Sequence, residues 1–462
     1  MDRVTAKARS AASESDALHR RRQKAGARPS SLRYGFNEIN GWWHMSLGPH
    51  AHDIRRCYGL MGTEVIRVFV FDQPVPSPVS DWRMFAAHID AVLAAGARPM
   101  ITFAKFEKPH DSDFNVRRFV ERCRDVVWGC VEQWGGERVK DWYWCVWNEP
   151  NNLIIGGDLT FDRYRVIYEE VAHAVLAEVD RFLDGGKAMI GGPSIDGTHR
   201  SYWMDWIGRL LDEVDGSMIG FVNWHCYGDW RPAVSSASLQ LEMWGSPDAP
   251  GGRAFETLLM AQTPSYEARA RGVGRLIEGR DILNVCGELN TISHHENYYT
   301  LGLNQNAFGA AYYASALIHL IRGGADLEMR WTGTGHADAY GLISLHGELT
   351  TAGLGKLLFA QHVRRGDLVS FPGFRPQAPD IDVIVASTAA GRLSAVFVNT
   401  GHAPVVLDPC AWDGDLSACR EVLRIDGGTS GRIVRERFDG SVRLGEHGIA
   451  VVTTAAEATI IV

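Results

Sequence analysis

The feature that most constrains the fold is a regular alternation of short apolar segments with longer amphipathic segments, which runs from Tyr34 to Val363. Eight of the short segments are apolar enough for strands that are buried on both faces. They are Leu32–Phe36, Val65–Val70, Arg98–Phe103, Trp142–Trp147, Met189–Gly192, Phe221–His225, Ile282–Glu288 and Leu327–Trp331. Because the strands alternate with helices in one continuous run, we predict a closed (β/α)8 TIM barrel rather than an open doubly wound sheet.

The amphipathic segments carry apolar residues at helical spacing. The predicted helices are Ala51–Leu60, Met84–Ala95, Val116–Trp134, Tyr164–Val175, Tyr202–Leu211, Tyr266–Glu278, Ala307–Arg322 and Leu354–Val363. The segment Gly228–Gly252 interrupts the rhythm after the sixth strand, and we interpret it as a loop-rich insertion.

The pattern changes after Arg365 to short strand candidates separated by turns. They are Ile381–Ser387, Arg392–Val398, Ala403–Leu407, Val422–Leu423, Arg432–Phe438 and Ile449–Val452. This spacing predicts a small all-β sandwich. We therefore expect a mobile polar tail over residues 1–30, a catalytic barrel over 31–365 and a β-sandwich domain over 366–462.

The charge distribution excludes some classes of partner. The net charge is −8 without a long block of like charge, so we expect neither nucleic acid nor an anionic membrane as partner. Residues 1–30 contain no apolar core of a secretory signal or membrane span, which favours a cytoplasmic location. The 8 cysteines form no Cys-x-x-Cys pair, so buried free thiols are expected, and a bridge between Cys410 and Cys419 is left open.

The segment from Trp144 to Asn152 reads as a buried strand that ends abruptly in polar residues. Pro150 lacks a backbone donor and stops the strand, which leaves Asn148 and Glu149 at its carboxyl end. In a (β/α)8 barrel that end carries the chemistry. The alternative is a strand that stops in an ordinary polar turn.

A second carboxylic acid, Glu288, ends the seventh predicted strand. In a closed barrel Glu149 and Glu288 project into the same mouth. Retaining glycosidases need two carboxyl groups about 5–5.5 Å apart, and two carboxylates at such a distance cannot ionise independently, so that one pKa rises. For Glu288 alone, a strand-end carboxylate in a salt bridge is the alternative.

Two motifs carry a resemblance to a known family. Trp147-Asn148-Glu149-Pro150-Asn151 and Gly287-Glu288-Leu289-Asn290 resemble the acid/base and nucleophile motifs of clan A glycoside hydrolases. The chain is most similar to glycoside hydrolase family 39, known for β-xylosidases and α-L-iduronidases. The resemblance extends from the first strand to the trailing β-sandwich, which that family also carries.

The resemblance implies a role for each matched residue. Glu149 would be the general acid/base and Glu288 the nucleophile. Asn148 would hydrogen-bond the 2-hydroxyl of the sugar, a contact that strengthens as the oxocarbenium ion develops.

Further positions match the same clan. His225-Cys226-Tyr227 resembles its His-x-Tyr motif, with Tyr227 donating to the carboxylate of the nucleophile and so favouring its ionised form. Arg67 would steady the same carboxylate, and Trp331 would form the aromatic floor of the sugar subsite. The alternatives are a core histidine at 225, a structural ion pair at 67 and simple packing at 331.

The activity implied is that of a retaining glycoside hydrolase, exo-acting and β-xylosidase-like, on an oligosaccharide or polysaccharide. An endo-acting hydrolase of a bacterial exopolysaccharide is the alternative within the enzyme class. A non-catalytic carbohydrate-binding barrel is the alternative of another class, but such a protein has no chemical reason to keep both Glu149 and Glu288.

No metal and no organic cofactor is expected, because two carboxylates complete the chemistry. His294-His295-Glu296 resembles a metal patch, yet adjacent side chains of an extended segment point to opposite faces, so a solvated loop is the better interpretation. The 15 tryptophans allow sugar stacking as well as core packing. Sugar identity, linkage and oligomeric state are left open.

Overall fold

The structure is a computed structural model of the chain. It describes residues 27–38, 42–70, 81–104, 114–153, 155–198, 201–228, 250–292, 302–335, 340–373, 380–408 and 416–454. In these ranges, none of the helices combines the length and apolarity that crossing a bilayer requires.

Eight parallel strands close into a barrel, as predicted. Strand β1 (Arg28–Pro29) precedes it. The barrel strands are β2 (Arg33–Glu38), β3 (Thr63–Val70), β4 (Arg98–Phe103), β5 (Tyr143–Val146), β6 (Met189–Asp196), β7 (Phe221–Tyr227), β8 (Leu283–Asn290) and β9 (Leu327–Arg330). Each strand pairs with the next in chain order, and β9 pairs with β2 to close the ring.

Helices surround the barrel at the eight predicted places and at three others. They are α1 (Trp42–Ser46), α2 (Ala51–Leu60), α3 (Trp82–Ala94), α4 (Val116–Trp134), α5 (Gly136–Val139), α6 (Phe161–Val179), α7 (Trp203–Glu213), α8 (Pro250–Met260), α9 (Pro264–Leu276), α10 (Ala307–Gly323) and α11 (Thr351–His362). Helices α1, α5 and α8 are additional, and α8 begins within the predicted insertion. Local residue types explain several ends. The side chains of Asp81, Asn115 and Thr160 accept hydrogen bonds from the first turns of α3, α4 and α6. Gly324, in the left-handed region, ends α10.

The barrel interior is a packed core rather than a pore. Side chains that point inward from its strands form one apolar cluster, which includes Val65, Met100, Tyr143, Phe221 and Val285. Inward-pointing residues of alternate strands stack in layers in such barrels. The candidate site lies above this packed layer, towards the carboxyl ends of the strands.

An antiparallel all-β region follows the barrel. Its strands are β10 (Leu368–Ser370), β11 (Ile381–Ser387), β12 (Leu393–Asn399), β13 (Val405–Leu407), β14 (Glu421–Ile425), β15 (Val434–Arg437), β16 (Val442–Leu444) and β17 (Ile449–Thr453). Seven strands form a sheet in the order β1-β10-β11-β12-β17-β14-β15, and β13 pairs with β16 in a second, two-stranded sheet. The predicted all-β sandwich after the barrel is confirmed, and β1, β10 and β16 are additional strands. The prediction of a mobile tail over residues 1–30 is wrong for Arg28 and Pro29, because β1 pairs with β10.

Both faces of the seven-stranded sheet are buried, which explains why its central strands are apolar at nearly every position. Val383 and Val385 of β11 pack with residues of the two-stranded sheet, such as Val442. Their neighbours Ile384 and Ala386 belong to the large core cluster that contains the barrel helices α10 and α11. Side chains alternate across a strand, so the sheet lies between the barrel and the small sheet.

Some predicted features differ in extent or lie outside the described residues. Strand β6 continues four residues beyond the predicted Gly192, through a β-bulge between Pro193 and Ile195. Residues 229–249 of the predicted insertion and Cys410 lie outside the described ranges. Six other cysteines are buried free thiols, as predicted, and they are Cys57, Cys123, Cys130, Cys145, Cys226 and Cys286.

Candidate active site

The two predicted carboxylic acids meet at the mouth of the barrel. Glu149 directly follows β5, and Glu288 lies in β8, three strands further around the ring. One carboxylate oxygen of each, together with a ring nitrogen of His225, lie within 4.8 Å of one another. Both acids are nearly buried, with 5% and 4% of their surface exposed. The structure therefore brings together two acids that are far apart in sequence.

The backbone holds Glu149 in an unusual conformation. Trp147 and Glu149 have φ angles of 72° and 44°, a left-handed region that residues other than glycine rarely adopt. The amide of Glu149 donates to the carbonyl of Ser194 at 2.8 Å, and its carbonyl accepts from Asn152 N–H at 2.8 Å. A Cβ atom at Gly156 would lie 1.7 Å from the Glu149 carbonyl oxygen. These contacts over-determine the strained turn that directs Glu149 into the mouth.

Each oxygen of the Glu149 carboxylate has a partner. Oε1 lies 2.8 Å from Nδ1 of His225, and Oε2 accepts a hydrogen bond of 2.9 Å from the side-chain amide of Asn152. Asn152 lies in the same turn and was not among the predicted site residues. The position of the carboxylate is therefore set both by its own turn and by β7.

Glu288 is held by two donors, one on each oxygen. Arg67 donates from a terminal guanidinium nitrogen to Oε1 at 2.8 Å. The hydroxyl of Tyr227 donates to Oε2 at 2.7 Å, and Nδ1 of His225 lies 3.5 Å from the same oxygen. The contacts expected from the His-x-Tyr motif and from Arg67 are thus present.

The pKa of Glu288 is raised above its usual range. Burial is the largest cause, and the nearby carboxylate of Glu149 acts in the same direction. His225, Arg67 and the hydrogen bond from Tyr227 lower the pKa, but by less than burial raises it. The predicted direction of the Tyr227 contact is therefore correct, while its effect is outweighed by desolvation.

His225 is neutral near pH 7, because burial lowers its pKa to about 4. Its Nε2 lies 3.5 Å from a guanidinium nitrogen of Arg67, which can only donate, so Nε2 carries the lone pair. Nδ1 therefore carries the proton and donates to Glu149. One hydrogen on His225 thus connects the two carboxylates of the site.

Arg67 organises the floor of the mouth. Its guanidinium is fully buried and, besides Glu288, donates to Oγ1 of Thr102 at 2.8 Å and to Oδ1 of Asn148 at 2.9 Å. Since the oxygen of Asn148 faces Arg67, its NH2 group is the part that can donate to a ligand. This is the orientation that a contact with a sugar hydroxyl requires.

Aromatic side chains line one side of the mouth. Trp331, at the end of β9, packs edge-on against Phe69 with ring centroids 5.9 Å apart. Trp42 and Ala104 belong to the same small cluster, and Trp331 and Trp42 are both half-buried. The cluster leaves part of the Trp331 ring exposed, as a stacking platform needs. The patch His294-His295-Glu296 lies outside the described residues.

Several residues around the site were not predicted. Asn37 accepts from Arg67 at 3.2 Å, and Ser194 accepts from it at 3.1 Å. Tyr340 is buried close enough for Glu288 to contribute to raising its pKa, although burial contributes more. Asn37 shares the strand-end position that marked the other site residues, whereas Ser194 lies beyond the predicted end of its strand.

Glu38 is a further buried acid at the carboxyl end of β2. It accepts hydrogen bonds from the backbone N–H and hydroxyl of Thr334, at 2.6 and 2.7 Å, and from the hydroxyl of Tyr58. Burial raises its pKa to about 7, although these donors act in the opposite direction. Glu38 thereby ties β2 to the segment that follows Trp331.

Glu149, His225 and Glu288 have the spacing of metal ligands. The Arg67 guanidinium is paired with Glu288, and the lone pair of the His225 ring faces Arg67. The positive charge of Arg67 therefore weakens the attraction of this cluster for a cation.

Comparisons with known proteins support the predicted fold. No family model matches the chain. The solved structure of a GH39 β-xylosidase from Caulobacter crescentus superimposes with a TM-score of 0.62 at 16% identity, covering 92% of this chain and 97% of that one. The chain has the fold of the family 39 glycoside hydrolases. The resemblance predicted from the two motifs is thus confirmed in the fold.

Two further similarities bear on specificity. A β-xylosidase from Geobacillus stearothermophilus is 28% identical over 158 residues, which cover 31% of this chain and 30% of that enzyme. AbfB, a family 51 α-L-arabinofuranosidase from Bifidobacterium longum, superimposes with a TM-score of 0.61 at 14% identity, over 93% of this chain and 97% of that one. The fold alone therefore does not select one sugar.

Proposed function

We propose that this protein is a retaining glycoside hydrolase that acts by double displacement, with exo action on β-xylosides as the first candidate activity. The observation that carries the proposal is the pair Glu149 and Glu288, whose oxygens approach within 4.8 Å at the barrel mouth. Retaining enzymes place their two carboxyl groups about 5–5.5 Å apart, while inverting enzymes need about 6.5–9.5 Å to admit a water. The separation favours direct attack by one of the two acids.

Glu288 is the nucleophile of the proposed mechanism. Its carboxylate attacks the anomeric carbon and forms a glycosyl ester as the bond to the leaving oxygen breaks. Arg67 and Tyr227 each hold one of its oxygens, which orients the carboxylate and stabilises its negative charge. Burial acts in the opposite direction, so these two donors are needed to keep the nucleophile ionised.

Glu149 is the general acid and then the general base. In the first step its proton passes to the departing glycosidic oxygen. In the second step its carboxylate takes a proton from the water that attacks the anomeric carbon, which releases Glu288 as a carboxylate. Two carboxylates this close share their titration, and the active state is the one with a single proton on the pair.

The remaining side chains bind the sugar. The NH2 group of Asn148 is oriented by Arg67 to donate to the 2-hydroxyl, and Trp331 offers its face to the C–H surface of the ring. The xylosidase activity of the matched relatives favours a β-xyloside as substrate. The similarity to an arabinofuranosidase makes an α-L-arabinofuranoside the second sugar to test.

The stereochemical course tests the mechanism. The full-length protein is incubated with 4-nitrophenyl β-xyloside, and the anomeric protons of the product are followed by NMR. We expect β-xylose to appear first and then to mutarotate, whereas α-xylose as first product would overturn the retaining assignment. Xylan and bacterial exopolysaccharides serve as polymeric substrates, from which monosaccharide release indicates exo action and oligosaccharide release indicates endo action.

Two variants separate the roles of the acids. Glu288→Ala should abolish turnover of every substrate. Glu149→Ala should spare aryl glycosides with good leaving groups, because these need little acid assistance, and added azide should accelerate its slow second step. Glu348→Gln, at an exposed acid, is the matched control. Saccharide binding without turnover by the wild type would support the carbohydrate-binding alternative instead.

A further inference from the structure

Four side chains of metal-ligating types converge where the barrel meets the all-β region. None of them belongs to the candidate active site. Glu256 lies on α8, His402 follows β12, and Glu446 and His447 lie in the turn between β16 and β17. One ligand atom from each side chain lies within 4.8 Å of those of the other three. Two imidazoles and two carboxylates form a donor set typical of zinc.

The pairwise distances fit a shared ion. Nδ1 of His402 lies 2.9 Å from Oε1 of Glu446 and 3.6 Å from Oε2 of Glu256. Nε2 of His447 lies 3.6 Å from the same Glu256 oxygen and 3.9 Å from Glu446 Oε1. In a tetrahedral zinc site with bonds of about 2.0–2.2 Å, neighbouring ligand atoms are roughly 3.3–3.6 Å apart. The measured values bracket that range.

The ring of His402 is oriented as in a metal ligand. Its Nε2 lies 3.2 Å from the carbonyl oxygen of Arg253 and 3.0 Å from the hydroxyl oxygen of Thr257. Since that hydroxyl donates its own hydrogen to the Arg253 carbonyl, both oxygens can accept from Nε2. Nδ1 of the same ring lies 2.9 Å from Oε1 of Glu446, so a proton or a cation lies between these two atoms. Donation of the second ring nitrogen to a backbone carbonyl is the usual arrangement around bound metals.

His447 is an independent indication of a ligand. It is 5% exposed, and neither ring nitrogen has a hydrogen-bond partner among the described residues. Burying a polar group without a partner is costly. The ring packs against Phe308 and His402, and its Nε2 is directed at Glu256 across a distance too long for a hydrogen bond. An ion between the two atoms would satisfy both.

We propose that Glu256, His402, Glu446 and His447 bind a divalent cation of the zinc type. Two carboxylates, one such ion and two neutral imidazoles sum to zero charge, so the bound cluster is electrically neutral. A cavity of about 430 Å³ lies beside the cluster and offers the ion a route from solvent. Arg253 lines this cavity, but its side chain is exposed, where solvent and salt screen its charge.

The ion has a structural role, because all four of its positions are taken by protein ligands. It joins α8 to the all-β region. Among the described residues, His402 also connects the two at this point, through its contacts with Thr257 and the carbonyl of Arg253 on α8.

Metal binding by the full-length protein tests the proposal directly. Protein stripped with a chelator and dialysed is titrated with zinc by calorimetry and with cobalt by visible absorption. We expect one equivalent of each, an intense d–d spectrum of tetrahedral cobalt, and a rise of several degrees in Tm on adding zinc. A folded wild type that binds neither ion, or whose Tm responds only to acid through protonated histidines, would overturn the proposal.

Variants locate the ion. His447→Gln and Glu446→Gln should each weaken zinc binding by more than the roughly 10–100-fold that loss of an outer-shell partner costs, and should abolish the cobalt spectrum. His88→Gln is the matched control, since His88 is also buried with both ring nitrogens unpartnered among the described residues. It should bind zinc as the wild type does. Zinc that persists in His447→Gln but is lost in Glu288→Ala would place the ion in the active site and refute the assignment.

Discussion

Removal of a single hydroxyl, in Tyr227→Phe, should change the pH dependence of the proposed enzyme in a way that the structure determines. The hydroxyl donates to Oε2 of Glu288 at 2.7 Å, and both side chains are buried. The substitution removes this donor and leaves no unsatisfied group on the ring. Arg67 keeps its contact with the other oxygen at 2.8 Å, so the carboxylate retains its orientation.

The magnitude follows from the charge on the acceptor. A hydrogen bond to a charged group contributes about 1.5–3 kcal/mol, and it stabilises the ionised form of Glu288 selectively. At about 1.4 kcal/mol per pKa unit, its loss raises the pKa of Glu288 by about 1–2 units. Because the ionised carboxylate is the nucleophile, the variant should lose activity in the acid range first and recover as the pH rises through the new pKa.

The measurement is the pH profile of kcat/KM for an aryl β-xyloside. We expect the acid limb of Tyr227→Phe to move upward by about 1–2 pH units, with the alkaline limb moving less. Tyr168→Phe is the control, because its hydroxyl is also buried but donates to the carbonyl of Met218, outside the site. An acid limb that coincides with that of the wild type would refute the assigned effect of Tyr227 on Glu288.

Three further changes test the surroundings of the site. Lys356→Met should destabilise the protein by about 3–5 kcal/mol in urea titrations, because it leaves the fully buried carboxylate of Glu328 without its ion-pair partner. The pKa of Glu38 is about 7 in the folded state against 4.5 in the unfolded chain. Between pH 4.5 and 7, the folded protein therefore keeps a proton on Glu38 that the unfolded chain has released. Its contribution is therefore present below pH 4.5 and decreases by about 3 kcal/mol as the pH rises to 7, and Glu38→Gln should flatten the measured stability over that window. Gly287→Ala should lower kcat/KM at least about tenfold, because the added Cβ would lie 1.9 Å from Oδ1 of Asn223 and displace the neighbouring nucleophile. A Gly287→Ala enzyme of normal activity would contradict the close packing at that position.

Sequence patterns predicted the barrel well because buried parallel strands are continuous apolar runs. The strand Arg98–Phe103 and the helix Val116–Trp134 have the predicted bounds. Strand β6 was predicted too short, since Pro193 normally ends a ladder, whereas here a bulge accommodates it. Strands β10 and β16 have three residues each, too few for period-two alternation to be recognised.

The site was predictable where a polar or ionisable residue lies at the carboxyl end of a strand. Glu149 lies just beyond the end of β5, and Glu288, His225 and Tyr227 lie in the carboxyl-terminal halves of β8 and β7. The contacts that orient them could not be read in the same way. Ser194, which accepts from Arg67, lies at the bulge in β6, beyond the predicted end of that strand. Which nitrogen of His225 carries the proton depends on the guanidinium of Arg67, which is 158 positions away in sequence.

Strand β1 gives the molecule a discontinuous domain. Arg28 pairs with Val369, so the whole barrel is inserted between two neighbouring strands of one sheet. The guanidinium of Arg28 also donates to the last carbonyls of α10, at Ile321 and Arg322. A graft or truncation that cuts the chain only near Arg365 would therefore separate the sheet from its own edge strand. Exchange of this domain with a relative requires both segments to be transferred together, and we expect the two parts to unfold as one cooperative unit.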